Sequence, residues 1–275
     1  MRGRIQRSQP KSMKKILLFG NSHLGCIKNA IQLIREENPA LIKPFDLTFS
    51  GHASHFVKFW DYNSKRDLII PKPRPQSSDE RPNIIMRATA QRTKLSPLDR
   101  ARSSSAPLDT KQFDAILIFI SYCKLDPHLL YGNSKNNPII QSFSTEILKQ
   151  VINTPRLPNH KEPKVYAKLI KNNWKKILFV GQPLPHEEHP QFRYIDELSE
   201  GDTQILRKNC NKIRSICETS LTDPCSVKYY LPPEDLLCSQ GVRTKSTLMR
   251  GVGNAHANEK YGEAIIKDIL KKQLI

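Results

Sequence analysis

A chain of 275 residues with 38% hydrophobic content can bury a substantial core, and its length fits one large domain better than a short module. The 44 Lys and Arg outnumber the 26 Asp and Glu, for a formal net charge of +18. Such a charge suits nucleic acid, an anionic membrane or a polyanionic substrate. The sequence nevertheless has no arginine-rich arm, zinc-knuckle spacing or aromatic RNP-like run, so the charge reads as solvated faces and nucleic acid is not the expected partner.

Residues 1–13 are basic and polar without periodicity and read as a disordered leader. Ile16-Leu17-Leu18-Phe19 is a short apolar run bounded by turn formers, and Leu24, Ile27, Ile31 and Ile34 follow at helical spacing. The first element is therefore a buried strand feeding an amphipathic helix, and Ser22 sits in the turn between them. Asn38-Pro39 ends the helix, and residues 45–50 form a second strand running into Gly51.

Residues 71–107 are rich in Pro, Ser and Arg, as expected of an excursion from the core with short strands at 67–70 and 83–86. A linker between two domains is the competing reading. Against it, two strands are too few to close a core, so later strands must complete the sheet.

Residues 113–121 (FDAILIFIS) have the nearly unbroken apolar character of a central parallel strand. Helices are expected at 144–152 and 165–172, and another buried strand at 175–181. A helix over 202–220 presents Ile205, Leu206, Cys210, Ile213 and Cys217 on one face. A fifth strand covers 227–231, and a last helix runs over 258–274. Alternating strands and helices give a three-layer α/β/α sandwich with a mostly parallel five-stranded, flavodoxin-like sheet, here as one domain over 14–275.

Cys26, Cys123, Cys210, Cys217, Cys225 and Cys238 include no CxxC pair and read as reduced thiols. With no signal-peptide core and no run long enough to span a membrane, a cytoplasmic location is expected. His186-Glu187-Glu188-His189 lies between prolines, in a loop rather than on the helix that a paired-histidine metal site uses, so no metal is expected. His52 and His55, near Gly51, are candidates for lining a substrate mouth. Glycine and lysine over 20–28 have the wrong spacing for a phosphate loop, which excludes an NTPase of that type.

The chemistry-bearing residues stand at the two ends of the pattern. Ser22 follows the first strand, and His256 follows the last strand just before the final helix. Taken alone, Ser22 is also a good helix cap, His256 a capping or surface histidine, and Gly51 a turn glycine.

Together, Gly20-Asn21-Ser22 resembles the Gly-Asp-Ser block of the SGNH/GDSL hydrolases. His256-Ala257-Asn258 with Gly262 resembles their last block, and Gly51 falls at the place of the second-block oxyanion glycine. The resemblance covers residues 14–275. It implies a serine esterase or acyl hydrolase acting on an ester, on a small molecule, an acylated carbohydrate or a lipid, with Ser22 as nucleophile and His256 as general base. No cofactor is implied. The N–H groups of Ser22 and Gly51 would line the oxyanion hole.

Two positions depart from the family pattern. Gly253 stands where the family carries an acid three residues before the histidine, so Asn254 or a main-chain carbonyl is left to orient the ring. Ser121-Tyr122-Cys123 stands where the family has Gly-x-Asn, so Tyr122 is left as the candidate donor. An acyltransferase, a binding protein on the same fold with weakened chemistry, and a nucleic-acid-associated protein using the basic excursion at 71–107 are the alternatives. The sequence leaves the oligomeric state open.

Overall fold

The computed structural model describes residues 13–20, 23–51, 60–71, 107–119, 142–153, 163–184, 186–189, 195–224, 227–238, 241–252 and 256–275. Strand β1 (Lys14–Gly20) leads into helix α1 (Leu24–Glu37) and strand β2 (Phe45–Gly51). Three short strands follow, β3 (Trp60–Asn63), β4 (Leu68–Pro71) and β5 (Leu108–Asp109), then β6 (Ala115–Phe119). The chain continues through α2 (Thr145–Asn153), α3 (Pro163–Asn173), β7 (Ile177–Val180), α4 (Glu200–Thr222), β8 (Lys228–Tyr230) and α5 (Glu259–Lys271).

The main sheet has the order β2-β1-β6-β7-β8, and every pairing in it is parallel. Counted in chain order within this sheet, the strands run 2-1-3-4-5, the flavodoxin-like doubly wound order. The strand order reverses after β1, and a crevice forms outside the carboxyl ends at such a reversal.

Helices cover both faces, and the pleat divides the core between them. Ile16 and Leu18 of β1 face one way, into a cluster with Ile27, Ile31 and Ile34 of α1 and Ile265, Ile266 and Ile269 of α5. Leu17 and Phe19 face the other way, toward Leu148 of α2, Leu169 of α3 and Leu206 and Ile213 of α4. Central β6 is covered on both sides, and Ile116, Leu117 and Ile118 are fully buried. The α/β/α sandwich with a parallel five-stranded sheet expected from the sequence is the observed architecture.

Two strands begin two residues later than expected, β6 at Ala115 and β7 at Ile177. Thr110–Gln112 and Trp174–Lys176 form 3-10 turns just before β6 and β7, and these turns delay strand entry. The Lys176 ammonium donates to the Thr110 and Phe113 carbonyls at 2.6 and 3.3 Å, tying the two turns together.

Strands β3, β4 and β5 form a separate antiparallel sheet. Here only β4 was expected. β3 is held through Tyr62, whose hydroxyl donates to Asp67 at 2.6 Å and accepts from Asn173 at 3.1 Å. Since Leu68 and Ile69 pair with Asp109 and Leu108, the chain leaves and re-enters this sheet at neighbouring positions. Residues 72–106, including the expected strand at 83–86, lie outside the described residues.

Candidate active site

At the carboxyl end of β1 the sheet itself selects glycine. A Cβ on Gly20 would stand 2.8 Å from the Cβ of Phe119, inside any real contact distance, so β1 and β6 approach this closely only with glycine there. Gly20 is in register with Gly51 on its other side. The glycine preceding Asn21-Ser22 and the proposed oxyanion glycine therefore end adjacent parallel strands at the same edge. Asn21 and Ser22 themselves lie outside the described residues, as do Tyr122, Asn254, His52 and His55.

The last helix reaches this edge through a second close approach. A Cβ on Gly262 would meet the Cys26 carbonyl oxygen at 2.5 Å and the Ala30 Cβ at 3.0 Å, so α5 lies directly on the first turns of α1. Two segments more than 200 residues apart are thereby locked side by side. The N-terminus of α5 is capped by Asn258, whose side-chain oxygen accepts from the N–H groups of Lys260 and Tyr261 at 3.1 and 3.3 Å. The same side chain donates to the Thr247 carbonyl at 2.9 Å. Arg250 N–H donates to the His256 carbonyl at 3.1 Å, and Asn258 N–H donates to that of Leu248 at 2.9 Å. These bonds close a loop that presents His256.

The His256 imidazole stacks on that of His23, with ring centroids 4.9 Å apart and planes inclined by 21°. His23 is the residue after Ser22. Its carbonyl accepts from the Cys26 thiol at 3.1 Å, and burial pushes that thiol's pKa up to about 12. Burial, and secondarily the neighbouring His256, lowers the His23 pKa to about 4. Burial, then the Arg250 charge, also lowers that of His256. Both rings are thus neutral at pH 7, and a neutral imidazole is the form that accepts a proton.

The loops around Arg243 are braced by polar contacts. Arg243, only 3% exposed, makes a bidentate pair with Asp196 and donates to the Glu187 carbonyl. Glu187 in turn accepts from the Ser246 N–H at 2.8 Å, which holds its carboxyl below the usual range. A cavity of about 950 Å³ opens among these loops, with Glu187, Asp196, Arg243, Thr247 and Val252 in its walls.

His186 is buried in the same region, and its Nδ1 accepts from the Glu188 N–H at 3.0 Å. That ring nitrogen serves the turn rather than a ligand. Of the expected site residues, the structure thus brings Gly51 and His256 to one edge. His23 and the Gly262 contact were missed by sequence reasoning. His23's position beside Ser22 was the only available signal for the first, and no local pattern signals the second.

No protein-family model matches this sequence, and a search of curated proteins finds no match. Among solved structures, the chain is similar to a Bacteroides fragilis protein described as an acylhydrolase, at 10% identity and a TM-score of 0.38 over 97% of this chain and 92% of that one. It is also similar to Est24, a carbohydrate acetylesterase from Sinorhizobium meliloti, at 10% identity and a TM-score of 0.34 over 94% and 98%. A third is the native aryl esterase of M. smegmatis, at 12% identity and a TM-score of 0.32 over 95% and 100%. These likenesses are distant. Sheet order and the residues at the carboxyl edge carry the functional reading instead.

Proposed function

We propose that the protein is a serine ester hydrolase of SGNH type, with Ser22 as nucleophile and His256 as general base. One observation carries the reading: His256 stacks on the residue that follows Ser22, at the edge where Gly20 and Gly51 end adjacent strands. A free serine hydroxyl is a weak nucleophile, and a neutral imidazole close by is what activates it.

In the proposed cycle the Ser22 oxygen attacks the ester carbonyl while His256 takes its proton. The oxyanion accepts from the N–H groups of Ser22 and Gly51, with Tyr122 as a further donor. His256 then protonates the leaving alcohol, and water repeats the sequence to free the acid. Glycan and small-molecule esters are the proposed substrates. Transfer to an acceptor alcohol in place of water would make the same site an acyltransferase.

With Gly253 at the family's acid position, the ring of His256 lacks that carboxylate. Stacking on His23 is the proposed substitute for orientation, and Asn254 a second support. Replacing His23 with Phe should therefore preserve most turnover, and replacing it with Ala should lower kcat more than it changes KM.

The deciding test is labelling with a serine-directed fluorophosphonate, followed by assays of short-chain aryl esters. Modification at Ser22, with turnover lost in Ser22→Ala and His256→Ala, is the expected result. Unmodified Ser22 at high probe concentration, with no turnover by the intact protein, overturns the hydrolase and leaves a binding protein on this fold.

A further inference from the structure

The opposite edge of the sheet carries a charge pattern that the sequence disperses. Across the sheet, the strand starts bring together Lys43 just before β2, Lys14 and Lys15 opening β1, Lys175 and Lys176 just before β7, and Lys228 opening β8. The acids at the same starts are Asp46 and Asp114, with Asp67 and Asp109 also acting on the Lys176 ammonium, and Asp114 accepts from the Lys15 N–H at 2.7 Å. Five parallel strands set about 4.8 Å apart span about 19 Å, so these lysines form a row rather than a scatter.

The centre of the row encloses a cavity of about 220 Å³, with Lys14, Asp114, Lys175, Lys176 and Lys228 in its walls. Lys176 gives two of its three N–H donors to the Thr110 and Phe113 carbonyls, leaving one. Lys175 lies over the ring of Trp174, 5.4 Å from its centroid. Helix α5 runs back to this edge and adds Lys271 and Lys272, the latter paired with Asp268 at 2.8 Å.

We infer that this amino-terminal edge binds the phosphate backbone of a nucleic acid, on the side of the sheet away from the candidate active site. Lysines ranged along the strand starts suit a run of phosphates, and contacts of this kind fix position without reading sequence. A membrane surface fits less well. Docking on lipid calls for apolar side chains to insert, and at these strand starts Met13 is the large exposed apolar residue among those described. Where the sequence alone suggested diffuse solvated charge, the sheet order collects it.

The test uses the full chain and a fluorescently labelled single-stranded RNA of about 20 nucleotides, measured by anisotropy over a series of salt concentrations. Neutralising about four phosphates predicts a slope of about −3 for log affinity against log salt. The triple variant Lys14→Gln, Lys175→Gln, Lys228→Gln should reduce the slope magnitude by about 2 and weaken low-salt affinity at least about tenfold. Its thermal unfolding and ester turnover should match those of the parent.

A slope near zero, or a triple variant that binds RNA like the parent, overturns the inference. So does stronger retention on phosphatidylserine vesicles than on RNA, which would assign the edge to a membrane. Each readout is independent of Ser22 chemistry, so this inference and the hydrolase reading can fail separately.

Discussion

Gly262→Ala probes the contact that brings the two ends of the chain together. The added methyl would sit 2.5 Å from the Cys26 carbonyl oxygen and 2.8 Å from its carbonyl carbon. Both are backbone atoms that no rotamer change can move, so the helices must separate by nearly 1 Å. A gap of that size forfeits a quarter to a half of the dispersion attraction across a packed interface. Overpacking typically costs about 1–3 kcal/mol, and this site belongs at the upper end. Alanine recovers up to about 1 kcal/mol of helix propensity.

The net expectation is a destabilisation of about 2 kcal/mol, or a fall of about 4–8 °C in Tm for a chain of this size. Urea unfolding monitored by circular dichroism reads the first quantity and calorimetry the second. If His256 is the base, a displacement of about 1 Å should also lower kcat/KM by about a hundredfold. Gly201→Ala in α4 is the control, because its nearest neighbour is the Ser199 hydroxyl at 3.9 Å; it should leave stability unchanged or raise it by up to about 1 kcal/mol. A Gly262→Ala protein as stable as its parent would refute the close crossing of α1 and α5.

Acid should weaken the fold through His23. Its folded-state pKa of about 4 lies below the unfolded value of 6.5, so the unfolded chain takes up the proton first. The associated stability is intact above pH 6.5, falls as pH drops toward 4, and amounts to at most about 3 kcal/mol. His23→Phe should flatten the urea midpoint against pH across that window, and an unchanged slope would count against burial of the ring. For ester turnover, the acid limb of kcat/KM should have an apparent pKa below 6.5, because His256 must be neutral to act and its pKa is lowered. Arg243→Met should cost about 2–3 kcal/mol in urea unfolding, by removing charge-assisted bonds to Asp196 and Glu187. A loss under about 0.5 kcal/mol would mean that these bonds do not brace the loops.

The long elements were legible because their signal is local. Ile16 to Phe19 and Ala115 to Phe119 are short apolar runs, and α1, α4 and α5 repeat apolar residues at helical spacing. β3 and β5 were not, since a four-residue Trp-Asp-Tyr-Asn segment and a two-residue Leu-Asp become strands only by pairing with β4. Lys175 and Lys176 looked like part of a strand because residue type does not report the 3-10 turn that precedes β7.

At the candidate site, the block containing His256 could be read from its neighbours Asn258 and Gly262. Its ring contact with His23 spans 233 positions of sequence and arises only from the crossing of two helices. Ser22, Tyr122 and Asn254 lie outside the described residues, so their part in the site stays with the proposal. The lysine row was hidden for a similar reason: Lys14, Lys43, Lys175 and Lys228 are far apart in the chain and become neighbours only through the strand order.

The antiparallel ladder joining Leu68 and Ile69 to Asp109 and Leu108 fixes both feet of the 72–106 segment a few ångströms apart. The amount of chain between those feet can change without re-threading the main sheet, because each added residue raises the closure entropy only slowly. That makes the segment a natural port for engineering, where a fluorescent reporter or affinity tag could be spliced in while both termini keep their places.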